Sequence, residues 1–154
     1  QKVFFSSTMS VAVKRGRTIA IPHLPGGVLA HLPEISRLKN GTKYSYHLAV
    51  LIRQDGTKII RRNQAGVCCA ERLVLQDLEH NDDANHQPLM VVVKVQVKPN
   101  GWSLGSSRPC MRCVEALRES RVCQVIWSEK KGQEVSFKGT LASELPDNDY
   151  SARA

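Results

Sequence analysis

Two short stretches of this chain carry residues suited to hydrolytic chemistry: Cys69-Ala70-Glu71 and Pro109-Cys110-Met111-Arg112-Cys113. A Cys-x-x-Cys pair in the first turn of a helix points two sulfurs the same way. The positive end of the helix dipole lowers thiol pKa there and favours the metal-binding thiolate. A hydrolytic zinc centre takes three protein ligands and leaves a fourth position for water. Cys69 can supply the third ligand. Glu71 lies two residues further on, close enough to reach the water without ligating the metal. Zinc lowers the pKa of that water to about 7, and a carboxylate can then accept and return its proton. The expectation is one zinc ion per chain, held by Cys69, Cys110 and Cys113, with Glu71 carrying the proton. A structural zinc site would instead be closed by a fourth side chain.

The remaining cysteines, Cys68 and Cys123, read as small buried hydrophobes. Five cysteines is an odd number, which argues against a disulfide framework and for reduced thiols in an intracellular compartment, cytoplasmic or nuclear. No apolar run reaches the roughly 18 residues of a membrane span, so no membrane partner is expected. The net charge of +8 is unevenly placed: residues 1–68 hold 11 Lys/Arg against 2 acids, residues 69–154 hold 11 against 12. That asymmetry suggests an anionic partner, with single-stranded nucleic acid the leading expectation and a nucleoside or nucleotide the other. A solvated basic face without a partner has the same composition. Residues 1–33 carry no Asp or Glu, and 1–27 read as a basic N-terminal arm or the remnant of a transit peptide.

The elements that must position these residues follow from hydrophobic periodicity. At 154 residues, with 42% hydrophobic and 23% charged, the chain is expected to form a single domain over 1–154. Met9–Val13 and Thr18–Ile21 are strand-like. Val28, Leu29, Leu32, Ile35 and Leu38 recur at helical spacing before Asn40-Gly41, predicting a helix that starts or kinks at Pro33. Tyr44–Ile52 and Lys58–Arg62 flank Gln54-Asp55-Gly56-Thr57 as a hairpin. Cys69–Glu79 reads as a helix, Asn81–Pro88 as polar loop, and Leu89–Val97 as a strand buried on both faces and ended by Pro99-Asn100-Gly101. A helix over Met111–Ser120, strands Val122–Trp127 and Gln133–Phe137, and a helical turn over Thr140–Leu145 complete the chain. This alternation predicts an α/β fold.

The paired motifs resemble those of the cytidine deaminase-like zinc deaminases, His/Cys-x-Glu followed by Pro-Cys-x-x-Cys. Cys69-Ala70-Glu71-Arg72 is similar to the Cys-Ala-Glu-Arg of the small nucleoside cytidine deaminases. Tyr46–Val50 through Asp55-Gly56 looks like their first hairpin, and Thr140–Pro146 like their Leu-Pro segment. The resemblance implies a three-layer α/β/α sandwich around a five-stranded mixed sheet. It also implies hydrolytic attack at C4 of cytosine, with Glu71 shuttling protons. Nucleoside deaminases carry an Asn-x-Glu-Asn stretch that grips the ribose; here Arg61-Arg62-Asn63-Gln64-Ala65-Gly66-Val67 stands instead. That stretch, with Trp102-Ser103 and Ser106–Cys110, looks more like the AID/APOBEC polynucleotide deaminases. Asn63, Arg61, Arg62, Ala70 and Trp102 are therefore candidate substrate-binding residues, with Lys58 as a further phosphate contact. Exposed Lys and Arg on an edge strand equally serve to block aggregation. His47 reads as a core or edge histidine that could line the pocket.

Overall fold

The computed structural model describes residues 2–5, 9–12, 19–21, 44–53, 55–64, 67–80, 88–98 and 101–148. In chain order these form β1 (Lys2–Phe5), β2 (Met9–Ala12), β3 (Ile19–Ile21), β4 (Tyr44–Ile52), β5 (Lys58–Arg62) and α1 (Ala70–His80). There follow β6 (Leu89–Lys98), β7 (Gly101–Gly105), α2 (Met111–Arg118), β8 (Gln124–Lys131), β9 (Glu134–Leu141) and a 3-10 turn at Ala142–Glu144. The helix expected around residues 28–38 and the polar loop 81–87 lie outside the described residues.

The main sheet is mixed and has the order β3-β9-β8-β6-β4-β5, with β7 pairing β6 off that path. β6 sits centrally because its sequence, LMVVVKVQVK, offers apolar side chains to both faces. β4 pairs it antiparallel along its whole length. Its other edge is shared. Leu89–Val92 pair in parallel with β8, and Lys94–Lys98 pair antiparallel with β7. Parallel neighbours need a crossover, and residues 99–123, which contain α2, supply it.

The five-stranded sheet implied by the resemblance is present as the contiguous run β5-β4-β6-β8-β9, and two further strands enlarge it to seven. β3 adds to β9 at one edge, so Ile19–Ile21 of the expected basic arm belong to the sheet. β7 escaped the sequence reading because Pro99-Asn100-Gly101 looked like a terminator, whereas Gly101–Gly105 pairs antiparallel with β6. β8 and β9 also run longer than expected. Ser128–Lys131 look too polar for a strand, but the two strands pair out to Lys131↔Glu134 around a two-residue turn with Gly132 at φ 60°.

Each face of the sheet has its own core. One holds Leu48, Val50, Val91, Val93, Val95 and Ile126. The other holds Ala49, Leu51, Met90, Val92, Val125 and Trp127, packed against Ala70, Val74 and Leu78 of α1 and Val114 and Leu117 of α2. Both helices therefore cover the same face, and the cysteine motifs lie at their N-termini. The three-layer arrangement shows one of its helical layers here; the helix expected for the other is the one outside the described residues.

Candidate active site

Cys69 immediately precedes α1, and its carbonyl accepts the amide of Leu73 at 3.2 Å. Cys110 is the N-cap of α2, with extended backbone (φ −69°, ψ 167°), and its carbonyl accepts the amide of Val114 at 2.8 Å. Cys113 lies in the first turn. The three Sγ atoms lie within 4.8 Å of one another. Sulfurs around a tetrahedral zinc with ~2.3 Å bonds sit roughly 3.8 Å apart, so closing on an ion needs only a small movement. The donor set also fits on charge. Burial, followed by the Glu71 carboxylate, pushes the Cys69 thiol up. The same two causes, joined by the neighbouring thiols, push Cys113 far up. Three thiols crowded beside a carboxyl, two of them buried and one half-buried, cannot all ionise unless a cation offsets their repulsion.

Glu71 is 5% exposed. Burial raises its carboxyl pKa, opposed by a bond from its own backbone amide and one from the Cys113 thiol. It is therefore beside the sulfur cluster, in a setting that raises its carboxyl above the ordinary carboxylate value.

Long-range bonds fix the α2 motif. The Ser107 hydroxyl donates to the Val92 carbonyl at 2.7 Å and lies 2.8 Å from the Ser128 hydroxyl, which in turn reaches the Gly105 carbonyl at 2.7 Å. This buried pair stitches the chain at the point where β6 parts from β7 and β8. From the other side, the Asn148 side-chain amide donates to the Pro109 carbonyl at 2.7 Å, next to Cys110. Arg108 donates to the Asp147 carbonyl at 2.7 Å. Arg118, in the last turn of α2, holds the Leu145 carbonyl at 2.6 Å and the Asp147 carboxylate at 2.6 Å. The segment Leu145–Asn148 thus straps α2 at both ends. The Leu-Pro resemblance marked this segment without assigning it a role.

The expected substrate-binding residues are dispersed. Ala70 is fully buried, so only its backbone could meet a ligand. Asn63 continues the sheet: its amide donates to the His47 carbonyl at 3.0 Å and its Oδ1 accepts the His47 amide at 2.8 Å. Arg61 turns to the helix face and pairs with Asp77 of α1 at 2.5 Å. Arg62 turns to the opposite face, its guanidinium 4.1 Å from the centre of the Tyr46 ring. Lys58 shares that opposite face at the far end of β5. These three cations do not form one track. Trp102 pairs with Val97 at the outer end of β7, and its side chain is outside the described ones. Cys68 is buried and Cys123 half-buried, as expected of small hydrophobes. Trp127 is core, its indole N–H bonded to Glu129 at 3.1 Å. The reading of the sequence passed over Lys94, although a single lysine among valines at the centre of β6 is a visible signal.

No family model matches the sequence, and no curated protein matches it. Among solved structures, the cytidine deaminase of Burkholderia pseudomallei is similar at a TM-score of 0.50 and 21% identity, over 79% of this chain and 96% of that one. At that identity the likeness speaks for the fold. Together with three clustered cysteines at two helix N-termini, it makes this chain cytidine deaminase-like in architecture.

Proposed function

We propose that this chain is a zinc-dependent hydrolytic deaminase that converts cytosine to uracil, with single-stranded DNA or RNA as the substrate. The observation that carries the reading is the three-thiol cluster with a buried carboxyl beside it that is not one of the three ligands. Three ligands leave an open position, and a structural site would need no acid–base group.

Zinc on Cys69, Cys110 and Cys113 would supply a Lewis acid and lower the pKa of water at its open position to about 7. Glu71 would take one proton from the attacking water and give it to the ring nitrogen next to C4; the hydroxyl proton then left on C4–OH would pass by way of Glu71 to the amine as the C–N bond breaks and C4 becomes a carbonyl. Water enters, ammonia leaves and cytosine becomes uracil. The raised carboxyl pKa suits a group that must both accept and give a proton. The nucleic-acid reading rests on the basic excess of residues 1–68 and on the Arg61–Val67 stretch standing where a ribose-gripping motif would be.

A second reading, deamination of free cytidine or deoxycytidine, has its own support. Arg61 is engaged by Asp77 and Arg62 by Tyr46, and the similar solved structure is named for cytidine. Parallel assays on cytidine, a cytosine-containing single-stranded DNA and the matching RNA decide between them. Product from the strands with little from cytidine supports the first reading. The reverse supports the second, and ammonia release from none of the three refutes both.

A further inference from the structure

On the helix-bearing face of the sheet, the side chains change character along β4 and β6. Leu51 and Ala49 on β4 and Met90 and Val92 on β6 are fully buried under α1 and α2. The next residues on that face are His47 and Lys94, then Ser45 and Gln96, because strand side chains alternate and directly paired residues share a face. On β7 the same face carries Gly105 and Ser103. The opposite face of the same stretch stays apolar, with Tyr46, Val93, Val95 and Leu104 all buried. The switch from apolar to polar is thus confined to one face, and it occurs where the helices begin. A cleft in front of helix N-termini, beside the cysteine cluster, is where an α/β sheet offers a ligand floor.

One transverse row of this floor is Asn63–His47–Lys94–Gly105. At one end, Gln64 bridges Cys68, which places Asn63 beside the chain that carries Cys69. At the other end, Ser107 ties the Cys110 segment to Val92, two residues from Lys94 and so about 7 Å along the strand. The row spans the gap between the two ligand-bearing segments. A side chain at Gly105 would come within 3.2 Å of Lys94 Cδ, so the lysine stem lies across Gly105 toward the Cys110 side. Arg61, Arg118 and Lys138 have carboxylate partners; among the described residues Lys94 has none. On that polar face, beside His47 and Gln96, its ammonium is available to an anionic ligand.

We propose that Lys94 recognises a phosphate on the nucleotide being deaminated, so that the substrate is a phosphate-bearing cytidine. His47, next to it on the floor, is the neutral hydrogen-bonding neighbour. The inference rests on the deaminase reading of the cysteine cluster, but its test does not depend on turnover. Uridine, uridine monophosphate and a uracil-containing single-stranded oligonucleotide are products of the proposed reactions and are not consumed. Their binding to the zinc-loaded protein is measured by titration calorimetry, for wild type, Lys94→Met and Lys94→Arg. Wild type should prefer the phosphorylated ligands over uridine by about 10- to 100-fold, the range for a hydrogen bond to a charged group. Lys94→Met keeps the stem over Gly105 and should erase that preference, changing uridine affinity less than threefold. Lys94→Arg should retain most of it. Monophosphate bound as tightly as the oligonucleotide assigns the contact to a terminal phosphate; a tighter oligonucleotide assigns it to an internucleotide one. Equal loss of uridine and its phosphates in Lys94→Met, or no phosphate preference in wild type, would overturn the proposal. The deaminase reading is scored separately, by ammonia release from wild type.

Discussion

The two helix N-termini that converge on the cysteine cluster are held in different ways. The α2 end is fastened by contacts far apart in sequence: Ser107 to Val92 and Ser128, Asn148 to Pro109, Arg108 and Arg118 to the 145–147 strap. Its two cysteines are buried. At the α1 end a short local loop, closed by the Gln64–Cys68 bridge, precedes Cys69, which is only half-buried. The contrast suggests a division of labour. On the proposed reading the α2 segment would fix the metal, and the half-buried Cys69 of the α1 segment would lie on the more open side of the cluster.

Replacing ligands should expose that asymmetry most strongly. Cys113→His should abolish zinc binding, because a fully enclosed position in a strapped turn has no room for an imidazole. Cys69→His should keep zinc, since the half-exposed position can adjust and imidazole is a good zinc ligand. Metal content after dialysis, by elemental analysis, checks both. Equal loss in the two variants would erase the distinction between the ends.

Glu71→Ala comes next in size. It removes a group that carries protons, not metal, so zinc content should stay at wild-type level while turnover falls about 10²–10⁴-fold. Activity within a few-fold of wild type would take Glu71 out of the mechanism.

The same contrast explains what could be read from the sequence. The three-sulfur cluster and its neighbour Glu71 were legible because metal chemistry demands particular residue types at short spacing, and Cys69-x-Glu71 with Cys110-x-x-Cys113 offers them within two helix starts. Central strands were legible as valine runs. Ser107, Ser128, Arg118 and Asn148 were not, because their roles are created by contacts between residues 15 to 39 positions apart, and no local pattern announces such a bond. β7, the outer half of β8 and the inner half of β9 (Lys138–Leu141, of which Thr140 and Leu141 had read as a helical turn) were missed for a related reason: pairing with a neighbouring strand fixes them, and their own composition is polar or glycine-containing. The substrate candidates Arg61 and Arg62 were named from charge and from the AID/APOBEC-like stretch that contains them, and strand alternation then sent them to opposite faces.

A smaller effect tests the strap. Asn148→Ala removes one hydrogen bond to the Pro109 carbonyl beside Cys110. A net loss of about 0.5–1.5 kcal/mol per bond translates to roughly two- to tenfold weaker zinc retention in competition with a chelator. Asn63→Ala, at the other end, should leave zinc retention at wild-type level because its bonds tie β5 to β4 and not the ligand turn. A reversed order would place the metal's support in the α1 segment.

The smallest effect concerns His47, on the floor between the two ends. Burial, and secondarily the Lys94 cation, lower its pKa below the ordinary 6.5. At about pH 7.5 and higher, well above the ordinary 6.5, the imidazole is almost wholly neutral in both folded and unfolded chains and contributes little pH dependence. As pH falls below that value the unfolded chain binds a proton that the folded chain resists, so stability declines until the folded pKa is reached. Denaturant titrations of the zinc-loaded wild type and His47→Gln between pH 7.5 and about 5 isolate this contribution. The difference in stability between the two should level off toward about pH 7.5 and should move in favour of the glutamine variant as pH drops through 6.5. Parallel curves would mean that His47 is free to protonate in the folded chain, and the floor of the cleft would then carry a second cation beside Lys94.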